Sequence, residues 1–247
     1  MYPTVFSLGF VIFSMVAISW AKTASVPDFS QYPEGKARKV VFLNYFRPLI
    51  DRRNQTIRDN RHRLKAWYKQ RQDLGLWTLS QVKDLASEYK MSDFDADNEK
   101  HWRTLLKRVD IVPASLALAQ AAKESAWGTS RFARQVHNYF GQWCFKKGCG
   151  VVPDDRKPGA YHEVADFDSP EDAVVSYFKN INSYYAYKPL REIRARLRAE
   201  DKPITGMALV NGLTFYSERR ADYIKELRSF IQQNNLLQYD QVKQRSH

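Results

Sequence analysis

The chain contains 247 residues, of which 44% are hydrophobic and 14% aromatic, and it carries a formal net charge of +12. This composition excludes a disordered chain, and the presence of only 10 glycines and 10 prolines argues against a low-complexity or loop-dominated protein. The positive charge suits an acidic partner such as nucleic acid, anionic lipid or an anionic polymer, although a basic soluble surface would carry the same charge.

The N-terminal segment, MYPTVFSLGFVIFSMVAISWA, contains no charged residue. Its apolar run, Val5–Ile18, has the length of a signal-peptide core rather than of a membrane span, and Ser19 and Ala21 are small residues at the positions that precede a cleavage site. We therefore expect residues 1–21 to be a signal peptide that exports the protein to the periplasm. Because no Lys or Arg precedes the apolar run, an uncleaved N-terminal membrane anchor facing the periplasm is the alternative. Both locations argue against nucleic acid as a partner.

The next segment, residues 22–36, is polar and contains two prolines and a glycine, which indicates a linker or extended arm. Residues 37–108 are predicted to form a basic helical N-terminal region, because apolar residues recur there at helical intervals. Pro48 is expected to kink or divide its first helix, and shorter helices are expected at Leu79–Tyr89 and Asp93–Arg108. This region carries no chemical motif. It either contacts an anionic wall polymer or a membrane surface, as a peripheral attachment, or packs as a cap on the rest of the protein.

Residues 109–236 are predicted to form a helical body with one small β element. A run of small and aliphatic residues, Ala114–Ala122, follows Pro113, and proline is well tolerated where a helix starts. Clusters of Gly, Pro and Asp between short apolar runs indicate a β-hairpin or small sheet within Gly141–Phe167. Further helices are expected at residues 170–185, 189–200, 204–211 and 217–234. The fold is therefore predicted to be mainly α, and residues 237–247 are predicted to form a polar tail.

The two cysteines, Cys144 and Cys149, lie in the segment Cys-Phe-Lys-Lys-Gly-Cys, where Gly148 helps the chain to turn back. In an oxidising compartment we expect them to form a disulfide. Two cysteines without a suitably spaced histidine leave a tetrahedral zinc ion short of ligands, so we expect no metal site and no cofactor.

The small-residue helix is followed directly by a carboxylate, Glu124. Apolar surroundings penalise the charged form of a carboxyl group, and the negative end of the helix dipole does the same. Both effects raise the pKa, which lets a carboxylic acid stay protonated near neutral pH and donate a proton to a leaving oxygen. The alternative is an ordinary solvated glutamate beside Lys123.

The segment that contains this glutamate resembles a family signature. ESAWGTS at residues 124–130, followed by NYFG at residues 138–141, is similar to the pattern of the bacterial peptidoglycan glucosaminidases, in which Glu-Ser-x-Trp-Gly-x-Ser precedes Asn-x-Phe-Gly. With QWCF at 142–145 and HEVA at 162–165, the arrangement looks most like the Bax-type exported proteins of that family. The resemblance covers about residues 110–235. It implies a lysozyme-like helical fold, cleavage of β-1,4 bonds after N-acetylglucosamine in peptidoglycan, and Glu124 as the catalytic acid.

The same resemblance implies substrate-binding residues. Asn138, Phe140 and Gly141 match the short block that lines the cleft beneath the acid. Turn geometry alone explains Asn138 and Gly141, and we favour that structural interpretation for both, whereas Phe140 would otherwise fill the core. Trp127 is a candidate sugar-stacking platform, with core packing as its alternative role.

Near the C-terminus, Phe215-Tyr216-Ser217-Glu218 followed by Tyr223 resembles the family's Tyr-Ala-Thr-Asp…Tyr element. The first tyrosine of that element faces the cleft, which implies that Tyr216 contacts substrate, although the spacing here is one residue longer than the commonest one. Tyr223 is followed by Ile224 and Leu227 at helical spacing and is predicted to lie in the core.

A second carboxylate is harder to assign. Glycosidases usually use two, and many relatives carry a glutamate in the β region, but the stretch GVVPDD at residues 150–155 has none. Glu163 is the preferred candidate, because alternation along Tyr161–Phe167 puts it on a mostly apolar strand face. Asp154 and Asp155 are alternatives on a turn. If none of these residues serves, the acetamido group of the substrate or a free water molecule would take that role.

These features predict a peptidoglycan hydrolase that acts by general acid catalysis on glycan strands. A lytic transglycosylase is one rival interpretation, but such enzymes follow Glu-Ser with a Gly-Leu-Met-Gln block, and Asn138–Gly141 occupies that position here. A non-catalytic wall-binding module is the other, and the missing second glutamate keeps it open. The oligomeric state is not defined by the sequence.

Overall fold

The computed structural model describes residues 25–154, 156, 159–216 and 220–240. The predicted signal peptide, the first three residues of the predicted linker, Asp155 and residues 241–247 of the predicted tail lie outside this part of the chain. The helices described are α1 (Lys36–Lys69), α2 (Leu76–Glu88), α3 (Glu99–Arg108), α4 (Ala114–Glu124), α5 (Arg131–Val136), α6 (Pro170–Ser183), α7 (Lys188–Ala199), α8 (Gly206–Leu209) and α9 (Arg220–Gln233). Short 3-10 turns occupy Phe29–Gln31, Tyr185–Tyr187, Val210–Leu213 and Leu236–Tyr239. Among these residues, none of the helices combines the length and the apolar character that crossing a bilayer requires.

Three short strands form the β element: β1 (Trp143–Cys144), β2 (Gly150–Val151) and β3 (Glu163–Ala165). β3 lies between the other two and pairs antiparallel with both, with Trp143 opposite Val164 and Gly150 opposite Ala165. The predicted mainly α fold with a small sheet is therefore confirmed.

Helix α4 lies at the centre of the fold. Every residue from Ala114 to Ala122 is buried, and the helix contacts α1, α8, α9 and the last 3-10 turn. Its small side chains allow these neighbours to approach on all sides, and alanine also has the highest intrinsic helix propensity. The run of small and aliphatic residues after Pro113 therefore forms a helix, as the sequence indicates.

Helix α1 is a single helix of 34 residues that contains Pro48, so the expectation that Pro48 divides it is wrong. A proline inside a helix removes one hydrogen bond and costs about 3 kcal/mol. Phe46, Leu49 and Ile50 flank the proline and are buried in the main core. Their burial offsets this cost, because each such side chain contributes about 1.5–3 kcal/mol when it is removed from water.

The buried apolar residues form two clusters that both include α1. The larger one joins the first half of α1, through Ile57, to α4 and to the C-terminal helices. The smaller one joins Leu64 in the second half of α1 to α2 and α3, with Trp102 at its centre. The packing therefore changes within α1, between Ile57 and Leu64, whereas the domain boundary predicted from the sequence falls after residue 108.

The segment before α1 and the segment after α9 both pack on the core. Phe29, within the segment interpreted as a linker or extended arm, is buried against Phe42 and Tyr139. Asp240, within the predicted polar tail, accepts hydrogen bonds from the Ser115 amide at 2.8 Å and from the Ser115 hydroxyl at 2.6 Å. It thereby satisfies a free amide in the first turn of α4. A regular apolar period is absent from both segments, and for that reason the sequence did not indicate their packing.

A buried charge cluster holds the segment that leads into α4. Asp110 accepts a hydrogen bond from Arg198 Nη2 at 2.8 Å, while Arg61 Nη2 lies 3.5 Å and Arg194 Nε 3.9 Å from its carboxylate. Burial on its own would raise the pKa of Asp110, but the three arginines outweigh burial and hold the pKa below its usual value. Asp110 therefore stays ionised and joins α1 to α7.

Neutral polar contacts hold the same segment, and together with the charge cluster they form a clamp at the start of α4. The Asn54 side chain donates to the Val112 carbonyl at 2.8 Å and accepts from the Val112 amide at 3.1 Å. Asn182 donates to the Asp110 carbonyl at 2.9 Å, and Arg194 donates to the Ile111 carbonyl at 2.6 Å. Side chains from α1, α6 and α7 therefore fix the position at which α4 begins.

We expect Asp110→Asn to lower the free energy of unfolding by about 3–5 kcal/mol, because it leaves buried Arg194 without a counter-charge. Urea denaturation followed by circular dichroism measures this change. Asp84→Asn, on the exposed surface of α2, is the matched control and should change the free energy by no more than about 0.5 kcal/mol. Equal effects of the two substitutions would show that the clamp does not hold the fold together.

Candidate active site

Glu124 is the last residue of α4, and its side chain is partly buried. Burial raises the pKa of its carboxyl group, and a hydrogen bond from Tyr223 and the charge of Lys123 offset only part of this increase. The Tyr223 hydroxyl donates to Glu124 Oε1 at 2.9 Å. Lys123 is itself paired with Glu226, whose Oε2 lies 2.9 Å from Lys123 Nζ. The carboxyl group therefore has the raised pKa that a general acid needs.

A chain of buried hydrogen bonds sets the orientation of Tyr223. Tyr177 donates its hydroxyl proton to Gln120 Oε1 at 2.5 Å, and Gln120 Nε2 donates to the Tyr223 oxygen at 3.1 Å. Since the Tyr223 oxygen already accepts a proton, its own proton is directed to Glu124. Gln120 lies one helical turn before Glu124, so α4 carries both the acid and the residue that orients its partner.

The sequence predicts a core position for Tyr223 and does not indicate a role for Gln120 or Tyr177. Tyr223 is buried, as predicted, but its hydroxyl also reaches the acid. One feature of the sequence did point to this role, because Tyr223 matches the second tyrosine of the family's Tyr-Ala-Thr-Asp…Tyr element. Gln120 stood out as the one polar residue in the run Ala114–Ala122 besides Ser115, and a buried amide requires partners.

The turn after Glu124 accounts for most of the signature that follows it. The Ser125 hydroxyl donates to the Ala121 carbonyl at 2.6 Å and accepts from the Gly128 amide at 2.8 Å. Gly128 has a φ of +82°, and a Cβ atom there would come within 2.3 Å of the Phe29 ring. Only glycine fits, because the conformation and the close approach both exclude a side chain. Ser125 and Gly128 therefore have a structural role in the turn rather than a chemical role.

Trp127 packs between two helices. Its ring stacks on Phe230 of α9 with centroids 5.4 Å apart, and it meets Phe42 of α1 edge-on at 5.6 Å. Lys39 places its ammonium group 5.2 Å from the same ring. These neighbours on several sides of the ring favour the packing role for Trp127 over the sugar platform.

Asn138 and Phe140 are both buried. The Asn138 amide donates to the Gln142 carbonyl at 2.8 Å and to the Ala165 carbonyl at 2.9 Å, so it ties the turn to strand β3. The Phe140 ring stacks on Tyr177 with centroids 4.2 Å apart. These contacts agree with structural roles for both side chains.

Gly141 lies directly beside the acid. A Cβ atom built on it would be 3.6 Å from Glu124 Oε2, and its φ is +62°. The backbone of this turn therefore forms the surface next to the carboxyl group, and a left-handed conformation explains the choice of glycine.

Tyr216 contacts the acid's partner rather than the acid itself. Its ring stacks on Tyr223 with centroids 5.3 Å apart, and its hydroxyl donates to the Phe140 carbonyl at 2.7 Å. Tyr216 therefore borders the Glu124 environment, while residues 217–219 of its sequence element lie outside the part of the chain that the structure describes.

Glu163 points toward the loop between β1 and β2. Its Oε1 accepts from the Gly148 amide at 3.1 Å, and its Oε2 accepts from the Gly150 amide at 2.9 Å. These backbone hydrogen bonds, of which the one from Gly148 is the largest cause, hold the pKa of Glu163 below its usual value. Both oxygens are therefore engaged in supporting the loop, which favours a structural role over a catalytic one.

The same loop contains the disulfide between Cys144 and Cys149, which is formed as the sequence predicts. The sulfur atoms lie close to the Glu163 carboxylate, but they are bonded to each other and cannot act as thiolate ligands. The other candidate carboxylate that the structure describes, Asp154, is exposed and pairs with Arg131 at 2.8 Å.

Comparisons with known proteins agree with this geometry. The model of the glucosaminidase family, described as mannosyl-glycoprotein endo-beta-N-acetylglucosaminidase, matches residues 99–236. The chain is 36% identical over 220 residues to Protein bax of Escherichia coli (strain K12), an alignment that covers 88% of this chain and 77% of that protein. No solved structure matches the chain.

We expect Glu163→Gln to lower the melting temperature at pH 7, because the amide cannot accept both backbone hydrogen bonds. The folded-state pKa is depressed, so the stabilisation is complete above the unfolded pKa of about 4.3 and disappears as the pH falls through the folded value. The difference from the unchanged protein should therefore shrink below about pH 4 in thermal unfolding monitored by circular dichroism. Glu34→Gln, at a side chain that is 90% exposed, should show no such difference; a pH-independent difference for Glu163→Gln would contradict this role.

Proposed function

The chain belongs to the glucosaminidase family, and on that premise we propose that it is an exported hydrolase that cleaves the β-1,4 bond after N-acetylglucosamine in peptidoglycan. The Bax-type resemblance and the lysozyme-like, mainly α fold are both confirmed by the comparisons. Membership of the family makes the chain a glycosidase-type enzyme that is related to peptidoglycan. The identity of the bond that it cleaves and the mechanism of cleavage are what we propose.

The observation that carries the proposal is the environment of Glu124. Glu124 lies at the end of a buried helix, and burial raises the pKa of its carboxyl group, which favours the protonated form that a general acid needs. It donates this proton to the glycosidic oxygen as the bond from that oxygen to the anomeric carbon breaks. Tyr223 then stabilises the carboxylate that forms, because its hydroxyl already donates to Oε1.

We propose that the attacking group is neither Glu163 nor Asp154. Glu163 is occupied by the Gly148 and Gly150 amides, and Asp154 is paired with Arg131. We therefore favour the acetamido group of the substrate, or a water molecule that it positions, as the nucleophile at the anomeric carbon. Assistance by the substrate is an established exception to the use of a protein carboxylate as the nucleophile.

The basic character of the protein supports an anionic partner. Peptidoglycan carries peptide carboxylates, and a positively charged surface increases the rate of encounter with such a polymer. Export to the periplasm, with a membrane-anchored form as its alternative, is part of the proposal, as is a peripheral contact between the basic region 37–108 and a membrane surface.

We expect Glu124→Gln to fold normally and to lose about 10²–10⁴-fold in hydrolysis, because glutamine cannot donate the proton. The measurement is digestion of purified peptidoglycan, with the new sugar ends identified by mass spectrometry. Reducing N-acetylglucosamine ends made by the unchanged protein and by the control Glu192→Gln, but not by Glu124→Gln, support the proposal. Anhydro-muramic ends would instead identify a lytic transglycosylase, and retained binding without any cleavage would identify a binding module.

We expect Tyr223→Phe to move the alkaline limb of the pH–rate profile to higher pH by about one unit. The lost hydrogen bond stabilised the ionised carboxylate, so its removal raises the pKa of Glu124 further, and the acid stays protonated to higher pH. Tyr32→Phe, a surface tyrosine away from the acid, should leave the profile unchanged. A limb that moves to lower pH would contradict the assigned direction of this hydrogen bond.

A further inference from the structure

The small sheet carries an exposed aromatic face that the mechanism does not use. Trp143 is 56% exposed, Phe145 62% and Tyr161 71%. The Trp143 ring stacks on His162 with centroids 4.2 Å apart and an interplanar angle of 16°, and Phe145 contacts Tyr161 edge-on at 6.0 Å. The four rings form two pairs, at strand β1 and in the segments next to β1 and β3, and Trp143, Phe145 and Tyr161 are the exposed members.

The register explains why Trp143 and His162 share one face. Trp143 lies opposite Val164, and Cys144 lies opposite Glu163. Because side chains alternate along a strand, Trp143 and His162 project from one face of the sheet, while Cys144 and Glu163 project from the other. The aromatic face is therefore open to solvent, and the opposite face holds the disulfide and the carboxylate that support the loop.

The disulfide and the hydrogen bonds of Glu163 make this face rigid. The disulfide closes the loop between β1 and β2, and Glu163 accepts backbone hydrogen bonds from two of its glycines. Side chains whose backbone is fixed in this way lose little conformational entropy when they bind a ligand. A rigid exposed aromatic cluster is a typical feature of a binding surface, because a soluble protein rarely leaves several such rings together without a partner.

Trp143 lies close in the chain to the candidate active site. Gly141 borders the Glu124 carboxyl group, and Trp143 follows only two residues later, so their Cα atoms are within about 7.6 Å of each other. A polymer whose scissile bond lies at Glu124 would therefore extend over or close to Trp143.

We propose that Trp143, backed by His162, is a stacking platform for a pyranose ring of the glycan strand on one side of the bond to be cleaved. This inference rests on the proposed function and adds a sugar-binding residue to it. The C–H groups on one face of a pyranose are weakly positive and pack against the negative face of an aromatic ring. Lys146 and Lys147 are exposed in the adjoining loop and complement the carboxylates of the peptide stems.

The test measures binding without turnover. In the Glu124→Gln background, the full chain is incubated with insoluble purified peptidoglycan, and the bound fraction gives an affinity. Adding Trp143→Ala should weaken binding about tenfold, whereas Trp143→Phe, which keeps a ring, should recover most of the affinity. Trp77→Ala is the matched control, because Trp77 is 74% exposed on α2, away from the sheet. Soluble N-acetylglucosamine oligomers should compete with the wall for the parent chain, and less well for Trp143→Ala.

The outcomes separate the two proposals. Binding by the parent that Trp143→Ala leaves unchanged would overturn the platform and leave the proposed function intact. Equal weakening by Trp77→Ala would also overturn the platform, because the effect would not belong to the sheet. A parent chain that does not bind peptidoglycan, together with an unmodified chain that does not cleave it, would overturn the proposed function and the platform with it. In the active enzyme, Trp143→Ala should raise KM more than it lowers kcat, and circular dichroism confirms that the fold is retained.

Discussion

Helix α4 is enclosed on all sides, so the polar groups at its two ends must be satisfied by other groups of the protein rather than by water. At its start, Asn54 and Asp240 supply hydrogen bonds from α1 and from the C-terminus. At its end, the Ser125 hydroxyl and the Trp127 amide donate to carbonyls of the last turn. Each unsatisfied buried group would cost about 1–3 kcal/mol. The position of Glu124 therefore depends on residues from both ends of the sequence, which explains why α1 and the final turn pack against the same helix.

Two carboxyl groups close to the ends of this helix have opposite electrostatic environments. Asp110 precedes it and has a lowered pKa, because three arginines outweigh the effect of burial. Glu124 ends it and has a raised pKa, because burial outweighs the effects of Tyr223 and Lys123. Asp110 is kept ionised and holds helices together, whereas Glu124 has the raised pKa that suits a proton donor. Such a separation of pKa values within one fold is how acid chemistry and structural ion pairs are assigned to different residues.

The sequence predicted those parts of the protein that depend on local pattern. The helices at 170–185 and 189–200, and the small sheet, agree with the structure within one or two residues, because their caps and apolar periods are local signals. The burial of Phe29, the continuity of α1 through Pro48 and the role of Tyr223 depend on contacts between residues far apart in the chain. No local rule identifies such contacts, and tertiary packing overrides the local preference of a proline.

The family signature is mostly a set of structural residues around a single acid. Ser125 and Gly128 shape the turn after the helix, and Asn138 ties the following turn to the sheet. These residues would keep the fold and the surface even if Glu124 were replaced, so the proposed glycan binding and the proposed hydrolysis can be tested separately. In the proposed function, proton transfer takes place at the end of α4, and the sheet next to it contributes to the choice of substrate. A fixed acid needs the scissile bond to be brought to it, since misplacement by about 1 Å can reduce the rate about 10²-fold. A rigid aromatic face beside Gly141 can supply that positioning without being part of the proton transfer.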